Sequence, residues 1–499
     1  MNEHIAASMA ITPYTGGMSV SMPSSQSTQS TQSQSSSQSS MPSSPTHQVP
    51  QPSAPQPSAP QPSAPVEFAG AARSIPPNVF AVTDRKVEES IAAGNDVIDL
   101  AKGNPDAYPE EFIRDAARQA IDDPANARYT PFDGKPAYLR AAADWYRRMH
   151  GVTLDWHTQL FAVEGAVDAL AGLYSIILDP GDAVAFADPY YPSYHCMARM
   201  RRAEEILLPA TRDHGFLPDL DAVGGEVWDR VKMLVLNYPN NPTGAQAPLE
   251  FLARSVELAR RHRFVIVHDY AYCGLGVGTA GAGMAGVVDD GHGAAVGRAG
   301  QQHSILEVPG ACDVAVEVCS LSKMYAMAGW RAGFVAGNAP VVDHLKRYHY
   351  QMGSMITGNV QDAGVVALQS DQSCVARLAQ RYAERRRIVA QGLRSAGLDV
   401  FDSAGGIYVW ALVPQAWRGD DGSGTTGGER FADVMLDRAR VAMLPGSCFG
   451  SVGGDYVRLS LLKPRNMLEE AVRRICAAVA QTDDVGCAVR DLPCADAVR

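Results

Sequence analysis

An α/β fold built on a mostly parallel sheet is predicted by three observations. Short apolar runs recur through the middle of the chain, segments with helical apolar spacing separate several of them, and turn-forming clusters punctuate the alternation. Residues 160–163 read as the first such strand, and 165–178 as a helix that stops at the turn Asp179-Pro180-Gly181-Asp182. Strand-like runs follow at 184–187, 231–236, 264–268, 314–318 and 334–336, with a helical pattern at 249–262 between two of them. In sheets of this kind ligands collect at the carboxyl ends of the strands, so the residues after each run are the first place to look for chemistry.

The rest of the chain frames this core. Residues 1–65 carry a Ser/Gln/Thr tract and three copies of Gln-Pro-Ser-Ala-Pro, too few apolar groups to offset the entropy of ordering, and read as a disordered tail. Two glycine-rich stretches, 278–300 and 419–428, show no apolar period and read as mobile surface loops, and 482–499 reads as a loosely packed tail. The net charge of −11 argues against general affinity for nucleic acid or an anionic membrane. Nine cysteines without a C-x-x-C pair suit reduced thiols and a cytoplasmic location, and no metal-ligand spacing is present. No run reaches the roughly 18 apolar residues of a membrane span, and the first residues lack the basic and apolar regions of a secretory signal.

The most informative segment is Ser320-Leu321-Ser322-Lys323-Met324-Tyr325-Ala326-Met327-Ala328-Gly329-Trp330-Arg331-Ala332-Gly333. It sets a lysine after an apolar strand, between hydroxyls, with an arginine eight positions on. A nucleophilic lysine must lose its charge part of the time, against a reference pKa of about 10.4. Desolvation and a nearby cation lower that value, so Arg331 is either that cation or a ligand for a phosphate shared with Ser320.

The segment resembles the lysine motif of fold type I pyridoxal-phosphate enzymes, specifically the class I/II aminotransferases, and three further motifs occur in the order that family requires. The resemblance covers about residues 75–480. It implies a PLP-dependent transferase fold type I, with an arm and part of a small domain at 66–115, a large pyridoxal 5'-phosphate-binding domain with a seven-stranded mixed sheet at 116–350, and a small α+β domain completed by 351–481. Lys323 is then the catalytic Schiff-base lysine. Asp269 matches the aspartate at the pyridine nitrogen, Tyr272 the donor to the phenolic oxygen, and Asn241, in Asn237-Tyr238-Pro239-Asn240-Asn241-Pro242-Thr243-Gly244, a second donor there that also meets substrate. Tyr191 matches the ring-stacking aromatic, with Tyr190 or Tyr194 packing nearby or facing substrate. Gly165 and Ala166 match the phosphate cradle at a helix N-terminus, with Ser320 and Arg331 as its side-chain part. Arg458 matches the arginine for the substrate α-carboxylate, Gly103 the glycine whose backbone approaches substrate, and Tyr129 a tyrosine reaching the phosphate of a neighbouring subunit, so a homodimer with shared sites is implied.

Transfer of an amino group from an L-amino acid to a 2-oxo acid is the implied reaction. Elimination, decarboxylation or oxidation on the same scaffold stays open, as does, remotely, an aminotransferase-like regulator. Segments 304–310 and 322–333 look most like enzymes acting on alanine and similar small amino acids. His268 precedes Asp269 on a strand and therefore points to the opposite face as a packed histidine. The G-x-G-x-x-G at 281–286 has no strand before it and no helix after it, so it is not read as a nucleotide fingerprint.

Overall fold

The computed structural model describes residues 67–276, 302–419 and 422–483. The tail 1–65, the glycine-rich stretch 278–300 with its G-x-G-x-x-G, and nearly all of 482–499 lie outside these.

Thirteen strands form three sheets among the described residues. They are β1 (Ile98–Asp99), β2 (Leu160–Val163), β3 (Ala183–Asp188), β4 (Glu204–Pro209), β5 (Val231–Leu236), β6 (Val265–Tyr270), β7 (Ala315–Ser320), β8 (Gly333–Gly337), β9 (Asp399–Val400), β10 (Tyr408–Leu412), β11 (Val441–Ala442), β12 (Leu444–Pro445) and β13 (Tyr456–Ser460). The largest sheet has seven strands in the order β2-β8-β7-β6-β5-β3-β4. Its pairings are parallel from β7 through β4, and β8 runs antiparallel to both of its neighbours. β2 therefore shares the direction of β7, and the carboxyl ends of β2, β3, β5, β6 and β7 emerge along one edge. The motifs around Glu164, Asp188, Asn237, Asp269 and Lys323 occupy that edge because each lies at or just after the end of one of these strands.

The central strands are apolar on both faces, as a sheet covered by helices on both sides requires. Val267, Val316, Val318 and Val335 are fully buried, each worth about 1.5–3 kcal/mol relative to exposure. The helix Leu249–His262 has the bounds read from the sequence and buries Leu252, Ser255, Val256, Leu258 and Ala259, the spacing of one helical face. The edge strand β4, Glu-Glu-Ile-Leu-Leu-Pro, was not anticipated: it is largely open to solvent, so its sequence lacks the apolar run that marks the inner strands.

The second sheet, β12-β13-β10-β9, is antiparallel throughout, and β1 pairs with β11 in a third. The N-terminal part of the chain thus meets the C-terminal part through backbone bonds from Ile98 to Arg440 and from Leu100 to Ala442. The end of the 419–428 stretch departs from expectation. Thr426 accepts from the Glu429 amide while the Glu429 carboxylate accepts from the Thr426 amide, a capping box that opens the helix Gly427–Val434. A Cβ at Gly427 or Gly428 would stand 2.3 or 2.2 Å from the carbonyl oxygens of Trp417 and Tyr456, so those glycines allow close packing rather than mobility.

Behind the sheet, Glu317 is fully buried and accepts from Tyr146 (2.8 Å), His268 Nδ1 (2.7 Å), Ser304 Oγ (2.7 Å) and the Ile305 amide (3.1 Å). His268 is accordingly a packed, hydrogen-bonded residue, and the segment around Ser304 serves this scaffold.

Candidate active site

A cavity of about 430 Å³ lies at the carboxyl edge of the large sheet and collects Lys323, Asp269, Tyr272, Asn241, Tyr191, Ala166, Ser320, Arg331, Gly103 and Arg458 along its walls. Tyr129 is not among them: it is 93% exposed.

Lys323 stands in the short helix Leu321–Met324 directly after β7, whose last residue, Ser320, caps that helix by accepting from the Ser322 amide at 3.2 Å. Its Nζ donates to the Gly103 carbonyl at 2.6 Å. Burial lowers the Lys323 pKa below the ordinary lysine value, and the positive charges of Arg458 and Arg331 add to this while Tyr408 opposes it. Desolvation and the charge of Arg331, two causes read from the sequence, thus both act on this amine, with Arg458 as a further one.

Asp269 is the penultimate residue of β6, 5% exposed, with no cation paired to it among the described residues. Tyr194 donates to its Oδ2 at 2.6 Å and the Ala271 amide to its Oδ1 at 3.3 Å. Burial raises its pKa, with these two donors opposing. Asn237 ties the neighbouring loop to this strand end: its Nδ2 donates to the Asp269 carbonyl (2.8 Å) and its Oδ1 accepts from the Asn241 amide (2.8 Å).

Arg458, on β13, is 2% exposed and pairs with no carboxylate among the described residues. Its Nη1 donates to Asn241 Oδ1 (3.0 Å) and its Nη2 to the Ala101 carbonyl (2.7 Å), while Nε is buried without an acceptor. A buried guanidinium so incompletely satisfied is costly unless an anion arrives.

At the opposite end, the helix Ala166–Ile177 directs its N-terminus into the cavity through Ala166 and Val167. The Gly165 amide already donates to the Val163 carbonyl at 2.8 Å, so Ala166 supplies the first amide of this turn with no acceptor inside the helix. Gly165 is required for another reason: φ is +95°, and a Cβ there would stand 2.5 Å from Arg331 Nη2. Arg331 is held by the Glu164 and Ala328 carbonyls at 2.8 and 3.0 Å.

An anion-seeking helix end with Ser320 and Arg331, a buried uncompensated carboxylate, an amine of lowered pKa and a buried unpaired guanidinium fit a phosphorylated, nitrogen-protonated aldehyde and a carboxylate substrate. The comparisons agree. The family model for aminotransferase class I and II matches residues 95–475. The chain belongs to the class I and II aminotransferases.

This aminotransferase is 36% identical over 403 residues to the L-glutamine--4-(methylsulfanyl)-2-oxobutanoate aminotransferase of Bacillus subtilis, covering 81% of this chain and 94% of that protein. It is 36% identical over 409 residues to the LL-diaminopimelate aminotransferase of Aquifex aeolicus, covering 82% and 98%. Among solved structures, substrate-bound BacF from Bacillus subtilis superposes with a TM-score of 0.73 at 31% identity, covering 83% of this chain and 98% of that one. None of these three names an alanine-type enzyme, the expectation drawn from 304–310 and 322–333. The family is pyridoxal-phosphate-dependent, and transamination is its reaction, which decides between the alternatives left open by the motifs.

Two features of this aminotransferase carried no sequence signal. Tyr408 lines the cavity but belongs to no motif, and the Asn237 bridge becomes visible only once β5 and β6 are neighbours. Phe80 and Asp84 also reach the wall, from a segment that no motif marks, and Lys102 reaches it beside Gly103.

Proposed function

We propose that Lys323 anchors the cofactor and later moves the proton at the substrate Cα, and that Arg458 receives the substrate α-carboxylate. The observation that carries this is the joint placement, in one cavity, of a lysine of lowered pKa, a buried carboxylate without a cation and a buried guanidinium without an anion. Pyridoxal phosphate, when bound, supplies an electron sink for the pair released as the Cα–H bond breaks. Asp269 would keep the pyridine nitrogen protonated, Tyr191 would cover the ring, Tyr272 and Asn241 would serve the phenolic oxygen, and Ala166, Ser320 and Arg331 would hold the phosphate. Lys323, with its amine free, would accept the proton from the substrate Cα as general base. Gly103 keeps the backbone close to this amine, because its carbonyl is the present acceptor of Nζ.

A homodimer with shared sites is supported by exposed Tyr129, Phe132 and Met352, large apolar groups of the kind an interface covers. The thiols of the described residues are all free, which supports a reducing cytoplasmic location. Among the described residues no helix is long and apolar enough to cross a membrane.

The test is a half-reaction. The holoenzyme is mixed with single amino acids, including L-glutamine, LL-diaminopimelate and L-alanine, and its visible band is followed as pyridoxamine phosphate forms. Lys323→Ala is expected to lose both the lysine-dependent band and turnover; retention of both overturns the assignment. Sedimentation of the full chain reads the oligomeric state.

A further inference from the structure

The carboxyl end of β3 is fastened to the loop between β12 and β13. Asp188, the last residue of β3, is 2% exposed and pairs with no cation among the described residues. Its Oδ2 accepts from Ser451 Oγ (2.7 Å), the Ser451 amide (3.0 Å) and the Val452 amide (3.4 Å), and that last amide also reaches Oδ1 at 3.3 Å. A bond returns across the same gap, from the Tyr190 amide to the Phe449 carbonyl at 2.8 Å. Between these contacts Gly450 holds a φ of +119°, and a Cβ there would collide with Asp188 Oδ1. A buried carboxylate is costly unless donors reach it, and here Ser451 and Val452 supply them.

The fastened loop carries Phe449, which is fully buried. Its ring centre lies 4.9 Å from Arg458 Cζ, 5.9 Å from the ring of Trp410 and 6.4 Å from that of Phe80. At the other end Tyr191, three residues after Asp188, stands on the cavity wall. We propose that Asp188 is a positioning residue for substrate: it holds the loop 449–452 against the end of β3 and, through Phe449, sets the Arg458 guanidinium relative to the cofactor wall. The inference rests on the role given above to Arg458. A carboxylate anchored at a fixed place directs the substrate Cα, so a small shift of its anchor lowers productive binding. The two ends of the fastening differ in rigidity. β3 is paired on one side with β4 and on the other with β5, whereas the loop consists of two short turns, Gly446–Phe449 and Ser451–Gly453. Loss of the Asp188 bonds therefore frees the loop and leaves the cofactor wall in place.

The experiment measures half-reactions of the holoenzyme with L-glutamine, LL-diaminopimelate and L-alanine in wild type, Asp188→Asn, Arg458→Leu and the double variant. Asparagine keeps the shape, loses the charge and turns an NH2 group toward donors. Half-saturation by the reacting donor is expected to rise about tenfold in Asp188→Asn. The lysine-dependent band without substrate, and cofactor retention on dialysis, are expected to stay as in wild type. In the Arg458→Leu background the same substitution is expected to add less than about twofold, because the guanidinium it positions is gone. Half-saturation unchanged in Asp188→Asn overturns the proposal. So does a tenfold rise that persists in the Arg458→Leu background, or one accompanied by loss of the band, since either marks a general disturbance. If Asp188→Asn does not fold, Ser451→Ala decides through the same cycle, with a rise of about threefold expected beside Arg458 and none beside Leu. An Arg458→Leu holoenzyme that saturates like wild type refutes the role of Arg458 itself, which separates the two failures.

Discussion

Tyr194 donates its hydroxyl to Asp269 Oδ2 at 2.6 Å, and both residues are buried, at 2% and 5% exposure. A phenol three residues past Tyr191 thus donates to this carboxylate and opposes the burial that raises its pKa. Tyr194 also packs edge-on against Tyr191, with ring centres 5.7 Å apart.

Tyr194→Phe removes a donor from a buried carboxylate, a loss of about 1–3 kcal/mol for the charged form. Burial already raises the Asp269 pKa, and the variant raises it further. Because a carboxyl of raised pKa takes its proton earlier as pH falls, cofactor affinity should drop about tenfold or more and begin to fail at a higher pH than in wild type. Spectroscopic titration of the apoenzyme with pyridoxal phosphate between pH 5 and 8 checks this.

Arg458→Leu should separate stability from function. The guanidinium is buried with two neutral acceptors and no carboxylate, so its loss relieves desolvation and should leave Tm unchanged or raised. Half-saturation by the amino donor should rise about a hundredfold, the scale of a lost charge-assisted pair. Thermal unfolding and half-reaction kinetics of the same preparation read both effects.

Gly165→Ala meets two obstacles, a φ of +95° and the Arg331 guanidinium 2.5 Å from the new Cβ. A cost of about 1–3 kcal/mol in stability is expected from the backbone alone. Displacement of Arg331 should also speed loss of the cofactor on dialysis, measured by residual visible absorbance.

Glu307 makes acid stability predictable. Burial raises its pKa, but hydrogen bonds with His150 (2.6 Å) and His303 (2.8 Å) outweigh this and hold it down at about 2, against an ordinary 4.5. A depressed folded pKa contributes stability that is present above the unfolded value and lost as pH falls through the folded one. The window is therefore from about 4.5 down to about 2, and the contribution, reduced for partial exposure, is on the order of 2 kcal/mol. Urea unfolding of wild type and Glu307→Gln between pH 6 and 3 should show the difference shrinking as pH falls.

The large sheet was legible because its inner strands are buried on both faces and must be apolar without interruption. Thus β5 and the helix Leu249–His262 begin and end where the apolar patterns do. β4 was not legible, since an exposed edge strand tolerates Glu204 and Glu205. Lys323, Asp269 and Asn241 could be singled out because each sits in a local segment whose turn or strand end restricts what can follow it, whereas Arg458 stands mid-strand on β13 and is joined to Asn241 only by the fold.

Sequence alone settled which residues carry charge, amine and amide at the carboxyl ends of the strands, because these groups are bound to local geometry. Tertiary structure alone decided how they are tuned. The Lys323 amine loses charge through burial between segments more than 200 residues apart, joined where Nζ meets the Gly103 carbonyl. Tyr408 enters the site only through the pairing of β10 with β13, which sets its ring against Arg458. Desolvation and cross-strand register depend on what the folded chain brings alongside a residue, and no spacing within a segment encodes that.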